Sequence, residues 1–267
     1  MKNYGYIESV FETDHYELGG LDLFEKPVLN PSLNWMPSIP YGEKQRKSID
    51  TNSCTEFAFL NQLETLEIFK YQKSSNWSER FLAIGAENVP RGNDPHKVME
   101  WARHNGIVTE QRLPFTDEIK SWGEYMQPNP LPARLIREAE KWLNEYDFKH
   151  EWLWKDKISV KEKQKRILEA LKYSPVAVSV NWRKKGDIYV RAGAQDVHWT
   201  LIVKGERLRP WAIYDSYIDD DFIKMLDWDF DFGVAKLITL DRKPVPEHAW
   251  WFVDLYYSLI YGRTWSS

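Results

Sequence analysis

The chain contains one cysteine, Cys54, among its 267 residues. A lone thiol becomes a nucleophile when its surroundings favour thiolate, a base takes its proton, and a further group orients that base. Thr51, Asn52 and Ser53 immediately precede Cys54, and all are residue types that start helices. Behind it, Phe57, Leu60, Leu63, Leu66 and Phe69 recur at helical spacing with no Gly or Pro between them. The pattern predicts a buried helix over 54–71 with the cysteine in its first turn. There the partial positive charge of the helix N-terminus favours thiolate.

Six histidines are candidate bases. His96 and His104 fall on the polar side of a helix predicted over 94–105, and His15, His150 and His248 stand in polar, loop-like settings. All five are expected at the surface. His198 differs, because it begins the run Trp199 to Val203, which reads as a buried strand, and a polar ring there needs a partner. Asp215 follows a second such run, Trp211 to Tyr214. The start of one strand lies near the end of its antiparallel neighbour, so Asp215 is placed to accept the imidazole N–H. Cys, His and Asp together can perform acyl transfer. A His–Asp pair satisfied in a core, with no chemical task, fits the same residues.

The surrounding elements fall into two textures. Pro27, Pro31, Pro37 and Pro40 make residues 1–44 an extended strap over the surface. Helices are expected over 54–71, at 94–105 with Asp94 as N-cap and Pro95 at the first helical position, at 131–146, and at 160–173 behind a Ser159–Glu162 capping box. After Pro175 the chain turns to short β-rich runs at 176–180, 199–203, 211–214 and 234–238. The expectation is an α+β protein with a mainly helical lobe at 45–150 and a mainly β lobe at 151–267.

These blocks, in their order, resemble the papain-like cysteine peptidase superfamily. A Cys at a helix start, with a His roughly 130–150 residues downstream and an amide or acid after it, is that family's arrangement. Ser53-Cys54-Thr55-Glu56-Phe57-Ala58-Phe59 resembles its Ser-Cys-Trp-Ala-Phe block, with one residue more between Cys and Ala. Trp77 to Leu82 is similar to the stretch after the central helix, and Asn105-Gly106 with Leu113-Pro114-Phe115 to its Asn-Gly…Tyr-Pro-Tyr segment. Ser174-Pro175-Val176 resembles its Gly-Pro-Val strand, and Val197-His198-Trp199 its His-Ala-Val strand. Ile213-Tyr214-Asp215-Ser216-Tyr217 resembles the Lys-Asn-Ser-Trp block, with Asp in the Asn place.

The resemblance implies a two-lobe fold with Cys54 and His198 meeting across a cleft, a peptide or protein substrate in that cleft, and no cofactor or metal. It implies hydrolysis through a thiolate–imidazolium pair and an acyl-enzyme, with Asp215 orienting His198. The family's oxyanion-hole Gln stands a few residues before the Cys. The matching position is Ser48, and the nearest upstream Gln is Gln45, which is expected to reach the cleft through a longer loop. The residues before the cysteine leave no room for the family's usual pro-segment. A papain-like fold kept for binding or assembly, for example in a virion, with Cys54 a buried remnant, fits the same blocks. Transglutaminases and bacteriocin-processing-type peptidases share the residue order, but the strap and the Asn-Gly…Leu-Pro-Phe segment favour papain.

Composition bounds the rest. A net charge of −4 gives no electrostatic reason to bind nucleic acid or an anionic membrane. The basic run 161–166 reads as one wet helix face. No run approaches the ~20 apolar residues of a membrane span, and the first residues have no apolar signal core. A cytoplasmic or virion-associated protein, bacterial or phage-encoded, is the expectation. A single cysteine permits no intramolecular disulfide. The 14 tryptophans predict a bulky aromatic core or an aromatic-lined groove.

Overall fold

The structure is a computed structural model that describes residues 4–13, 15–17, 27–217 and 221–244. The strap contributes a short strand β1 (Gly5–Tyr6). The central helix α1 (Cys54–Tyr71) follows, then α2 (Glu79–Gly85), β2 (Gly92–Asn93) and α3 (Pro95–Asn105). A short α4 (Trp122–Tyr125) and α5 (Ala133–Glu145) complete the helical part. Next come β3 (Tyr146–Trp152), α6 (Val160–Ala170), β4 (Val176–Val180), β5 (Trp182–Lys185) and β6 (Ile188–Arg191). The chain continues through β7 (His198–Lys204), β8 (Trp211–Tyr214), β9 (Ile223–Leu226) and β10 (Ala235–Arg242).

β3 to β10 form one eight-stranded sheet in the order β3-β10-β4-β7-β8-β9-β6-β5, and β1 pairs with β2 apart from it. The protein is thus α+β, as the two textures predict. The caps form as expected: Asp94 accepts from His96 N–H at 2.7 Å, and Ser159 accepts from Glu162 N–H at 3.2 Å. The expected lobe boundary at 150/151 falls inside β3, which pairs along its whole length with β10. That strand alternates Tyr146, Phe148, His150 and Trp152 toward the helices. The helical run before it masks this period-2 pattern.

α1 is buried on nearly all sides, including Glu56, Gln62, Glu64 and Glu67, as a helix through the centre of a domain must be. Gln62 pins it to the sheet by donating to Pro175 O at 2.7 Å and Ser174 Oγ at 3.2 Å. The strap is more than a surface cover: Trp35 is fully buried and donates its indole N–H to Leu171 O at 2.8 Å. Trp35, Trp152, Trp154, Trp199 and Trp211 are all buried, so tryptophan here is core material. The basic run on α6 is not a uniformly wet face. Lys163 is buried and binds Asp231 at 2.6 Å, and Gln164 is buried against Trp228 O at 2.9 Å.

Candidate active site

Cys54 is the first residue of α1. Its N-cap, Ser53, does not cap with its side chain. The hydroxyl instead joins a buried network, receiving Asn88 Nδ2–H at 2.9 Å and lying 3.1 Å from Tyr125 Oη. The thiol is fully buried, and its Sγ accepts the backbone N–H of Trp199 at 3.4 Å. Burial pushes its pKa well up, the Trp199 N–H opposes this, and Glu56, Asp215 and Asp50 add to the rise. The expected bias of the helix N-terminus toward thiolate is therefore overcome: partial charges contribute about 1 kcal/mol, less than taking a thiolate out of water costs. Burial in this state favours the neutral thiol over thiolate.

His198, the residue before that N–H, opens β7 and is buried. Its Nε2 donates to Asp215 Oδ1 at 2.6 Å. Its Nδ1 is buried and makes no hydrogen bond, to Cys54 or to any other described group. Asp215 sits directly after β8, whose antiparallel pairing with β7 brings the two side chains together. The other carboxylate oxygen is held by Lys224 Nζ on β9 at 2.5 Å, and Lys224 also donates to Tyr217 O. Burial raises the Asp215 pKa, but the attraction of His198 and Lys224 outweighs it and the net shift is downward. Trp182 stands edge-on to the imidazole with ring centroids 5.4 Å apart. Neither Lys224 nor Trp182 stands out in the sequence, since each is one residue of a short strand with no motif around it.

Gln45 is buried at the same place. The longer loop folds back on itself through an Arg46–Asp50 bridge, and Thr51 returns its N–H and hydroxyl to Gln45 O at 3.3 and 3.0 Å. Gln45 Oε1 accepts from Ser216 Oγ at 2.7 Å, which fixes the amide so that Nε2 points to the strap, donating to Tyr4 O at 3.3 Å. Ser48, at the family's usual position, instead donates to Ile119 O.

The chain's own strap runs beside these residues, and a cavity of about 100 Å³ remains between Tyr4, His198 and Tyr217. Tyr4 N–H donates to Val197 O at 2.9 Å, and Ile7 N–H to Asn93 O at 2.9 Å. Between them β1 runs parallel to β2, with Gly5 opposite Gly92. The approach needs glycine at both positions: Gly5 has φ +109°, and a Cβ there would lie 2.2 Å from Asn52 O. Gly92 has φ +112°, and its Cβ would lie 1.9 Å from Gly5 O. Tyr6 is buried and stacks on Trp199 at 5.6 Å with 10° between the planes. The tyrosine rings of Tyr4 and Tyr217 lie 5.9 and 5.3 Å from the imidazole.

The other histidines divide. His104 is on the surface beside Glu100 at 3.4 Å. His15 and His150, expected outside, are buried, and His96 is half-buried, because β3 and the strap close over α3. His248 lies outside the described residues. Among the described residues no group of His, Cys, Asp and Glu is arranged to hold a metal ion, and no helix is long and apolar enough to cross a membrane.

No protein-family model matches the chain, and no curated protein matches it in sequence. Solved structures do match. Xylellain, a cysteine protease from Xylella fastidiosa, superposes with a TM-score of 0.63 at 14% identity, over 91% of this chain and 96% of that one. Digestive procathepsin L 3 of Tenebrio molitor larval midgut matches with a TM-score of 0.53 at 13% identity, over 80% of this chain and 71% of that one. Bromelain from Ananas comosus in complex with the E64 inhibitor also gives 0.53 at 13%, over 78% of this chain and 98% of that one. The fold is the papain-like fold.

Proposed function

We propose that this chain, with its papain-like fold, is a cysteine peptidase whose resting state is covered by its own N-terminal strap. One observation carries the reading. A peptide segment, residues 4–7, runs beside the candidate residues: Gln45 Nε2 donates to the Tyr4 carbonyl at 3.3 Å, and the Tyr4 ring lies 5.9 Å from the His198 imidazole.

With the strap displaced, water reaches Cys54 and the burial that keeps it protonated is relieved. His198 Nδ1, the ring nitrogen left without a partner, takes the thiol proton. The thiolate adds to a peptide carbonyl, and the oxyanion is met by Gln45 Nε2–H and the backbone N–H of Cys54. Imidazolium returns its proton to the leaving amine as the C–N bond breaks, giving a thioester. Water, deprotonated by His198, hydrolyses the thioester and releases the acid and the thiol. Asp215 fixes the Nε2–H tautomer throughout and balances the imidazolium charge. Lys224 fixes Asp215 in turn. With the strap in place Cys54 Sγ accepts a hydrogen bond from Trp199 N–H and gives none to His198 Nδ1, so the proton transfer that starts the reaction has no acceptor and the Tyr4 carbonyl is spared.

The test is labelling of the whole chain with an epoxide peptidase inhibitor, before and after removal of residues 1–7, the part of the strap that lies at the site, with the adduct located by mass spectrometry. An adduct on Cys54 that forms faster once the strap is gone, alongside hydrolysis of a fluorogenic peptide, is the expected result. Labelling that requires denaturant in both forms would favour the second reading, a binding or assembly protein in which Cys54 is inert. The full burial of Cys54 is the observation on that side.

A further inference from the structure

A cavity of about 520 Å³ lies away from Cys54, between α3 and the β3–β10 edge of the sheet. At its inner end stands Lys236, fully buried on β10. Its ammonium donates to two imidazoles, His96 Nδ1 at 3.0 Å and His150 Nδ1 at 2.9 Å, and lies 4.2 Å from the centre of the Trp152 ring. All three partners are neutral. His150 is held in the accepting tautomer because its Nε2 donates to Glu100 Oε1 at 2.8 Å. Glu100 is itself engaged by Arg103 at 2.6 Å. Burial and Lys236 together hold His96 and His150 neutral, at pKa values of about 2 and about 3.

Among the described residues, no carboxylate lies within ion-pair distance of Lys236. A buried ammonium with only neutral partners is costly. The cost shows in the lysine itself, drawn down to about 7 by burial against the weaker pull of Asp94 and Glu100. The cavity beside it is far larger than a single inorganic ion needs, and Leu143, Phe148 and Trp152 give it apolar wall. One buried cation is balanced by one negative charge, and the apolar wall calls for a carbon body.

We infer that this cavity is a binding site for a small organic carboxylate, with its charge against Lys236 and its body along Leu143, Phe148 and Trp152. Nothing in the site requires the peptidase reading. A carboxylate there favours the protonated amine, so binding above neutral pH takes up a proton. The groups that face Lys236 and share in that balance are His96, Glu100 and Arg103 on α3, His150 on β3, His15 on the strap, and Asp94 at the head of α3.

Benzoate is a suitable probe and benzyl alcohol its uncharged counterpart, both titrated calorimetrically into the intact chain from pH 6 to 9. Saturable binding of benzoate is expected, at least tenfold tighter than benzyl alcohol, weakening by about tenfold per pH unit above 7. Lys236→Met should lose the benzoate preference while keeping a thermal midpoint no lower than the parent without ligand, since it removes a buried charge lacking an acid partner. No saturable binding of benzoate, equal binding of benzyl alcohol, or a Lys236→Met variant that still prefers benzoate overturns the assignment. If that variant does not fold, the parent decides alone: an affinity flat from pH 6 to 9 overturns it, and the predicted decline supports it.

Discussion

The side-chain amide of Gln45 is bonded to the main-chain carbonyl of Tyr4 at 3.3 Å, so its Nε2–H is occupied by the chain's own strap. Under the proposed function Gln45 is both a strap clamp and an oxyanion donor, and these roles predict effects of opposite sign. In the strap-free form, Gln45→Ala should lower kcat/KM for a fluorogenic peptide by roughly 10²-fold, the usual cost of one lost donor. In the intact chain it should leave alkylation of Cys54 by iodoacetamide unchanged or faster, because the strap is less firmly held. A variant slow in both assays would mean a damaged fold rather than either role.

Tyr6 is the apolar anchor of residues 4–7, buried and stacked on Trp199. Its stacking on Trp199 and its burial are worth about 2 kcal/mol, or roughly a 30-fold change in the population of the uncovered state. Tyr6→Ala should therefore speed native-state alkylation of Cys54 by more than tenfold without a comparable fall in the urea midpoint. Tyr6→Trp should preserve the slow rate. An unchanged rate in Tyr6→Ala would place the barrier to Cys54 elsewhere than in the strap.

Much of this site can be read from residue order, and the unread part has a physical reason. Cys54 at a helix start follows from Thr51-Asn52-Ser53 and the apolar repeat behind, because helix initiation and burial are local properties. His198 beside Asp215 follows from two buried runs that begin and end in polar residues. Lys224 could not be found this way: Ile223-Lys224-Met225-Leu226 gives no sign that its lysine turns inward, and only the pairing of β8 with β9 brings it to Asp215. His150 was hidden because β3 follows a helix with no turn residue between them. The docking of Gly5 on Asn52 and Gly92 is a long-range fit between glycines whose neighbours carry no common motif.

Buried acids on and after α1 should make the fold sensitive to high pH. Glu64 and Glu79 are buried, and burial chiefly pushes their pKa values well above the ordinary carboxyl range. A folded-state pKa above the unfolded one contributes stability that is complete at low pH and is lost as pH rises through the folded value. Glu64→Gln keeps an oxygen to accept the Trp77 N–H, now bonded at 2.8 Å, and removes the charge. It should raise the thermal midpoint by a few degrees at pH 8 and have little effect at pH 4. Equal effects at both pH values would show that ionisation is not the cause.

The last prediction concerns Asp215 and Lys224, which form a buried ion pair behind the imidazole at 2.5 Å. The family's Asn at this position is neutral, so an Asp brings a charge into the core, and Lys224 supplies the compensation. Breaking a buried pair from one side costs about 3–5 kcal/mol, because the remaining charge is stranded. Lys224→Met should be destabilised by that order, and Asp215→Asn as well, since it strands the lysine. The double variant, Asp215→Asn with Lys224→Met, restores a neutral site and should recover most of the loss. The coupling should be several kcal/mol in a double-mutant cycle by urea unfolding. Its pH dependence is set by Asp215, whose folded pKa is depressed: the pair's contribution is present above the unfolded carboxyl value near 4 and is lost as pH falls through the folded one. The parent's advantage over Lys224→Met should therefore be steady from pH 6 to 8 and shrink in acid. Because the double variant keeps an amide oxygen for His198 Nε2–H, its Cys54 should still react with the epoxide inhibitor once the strap is removed. Additive losses in the cycle would mean that Lys224 does not hold Asp215, and that the aspartate must be balanced by His198 alone.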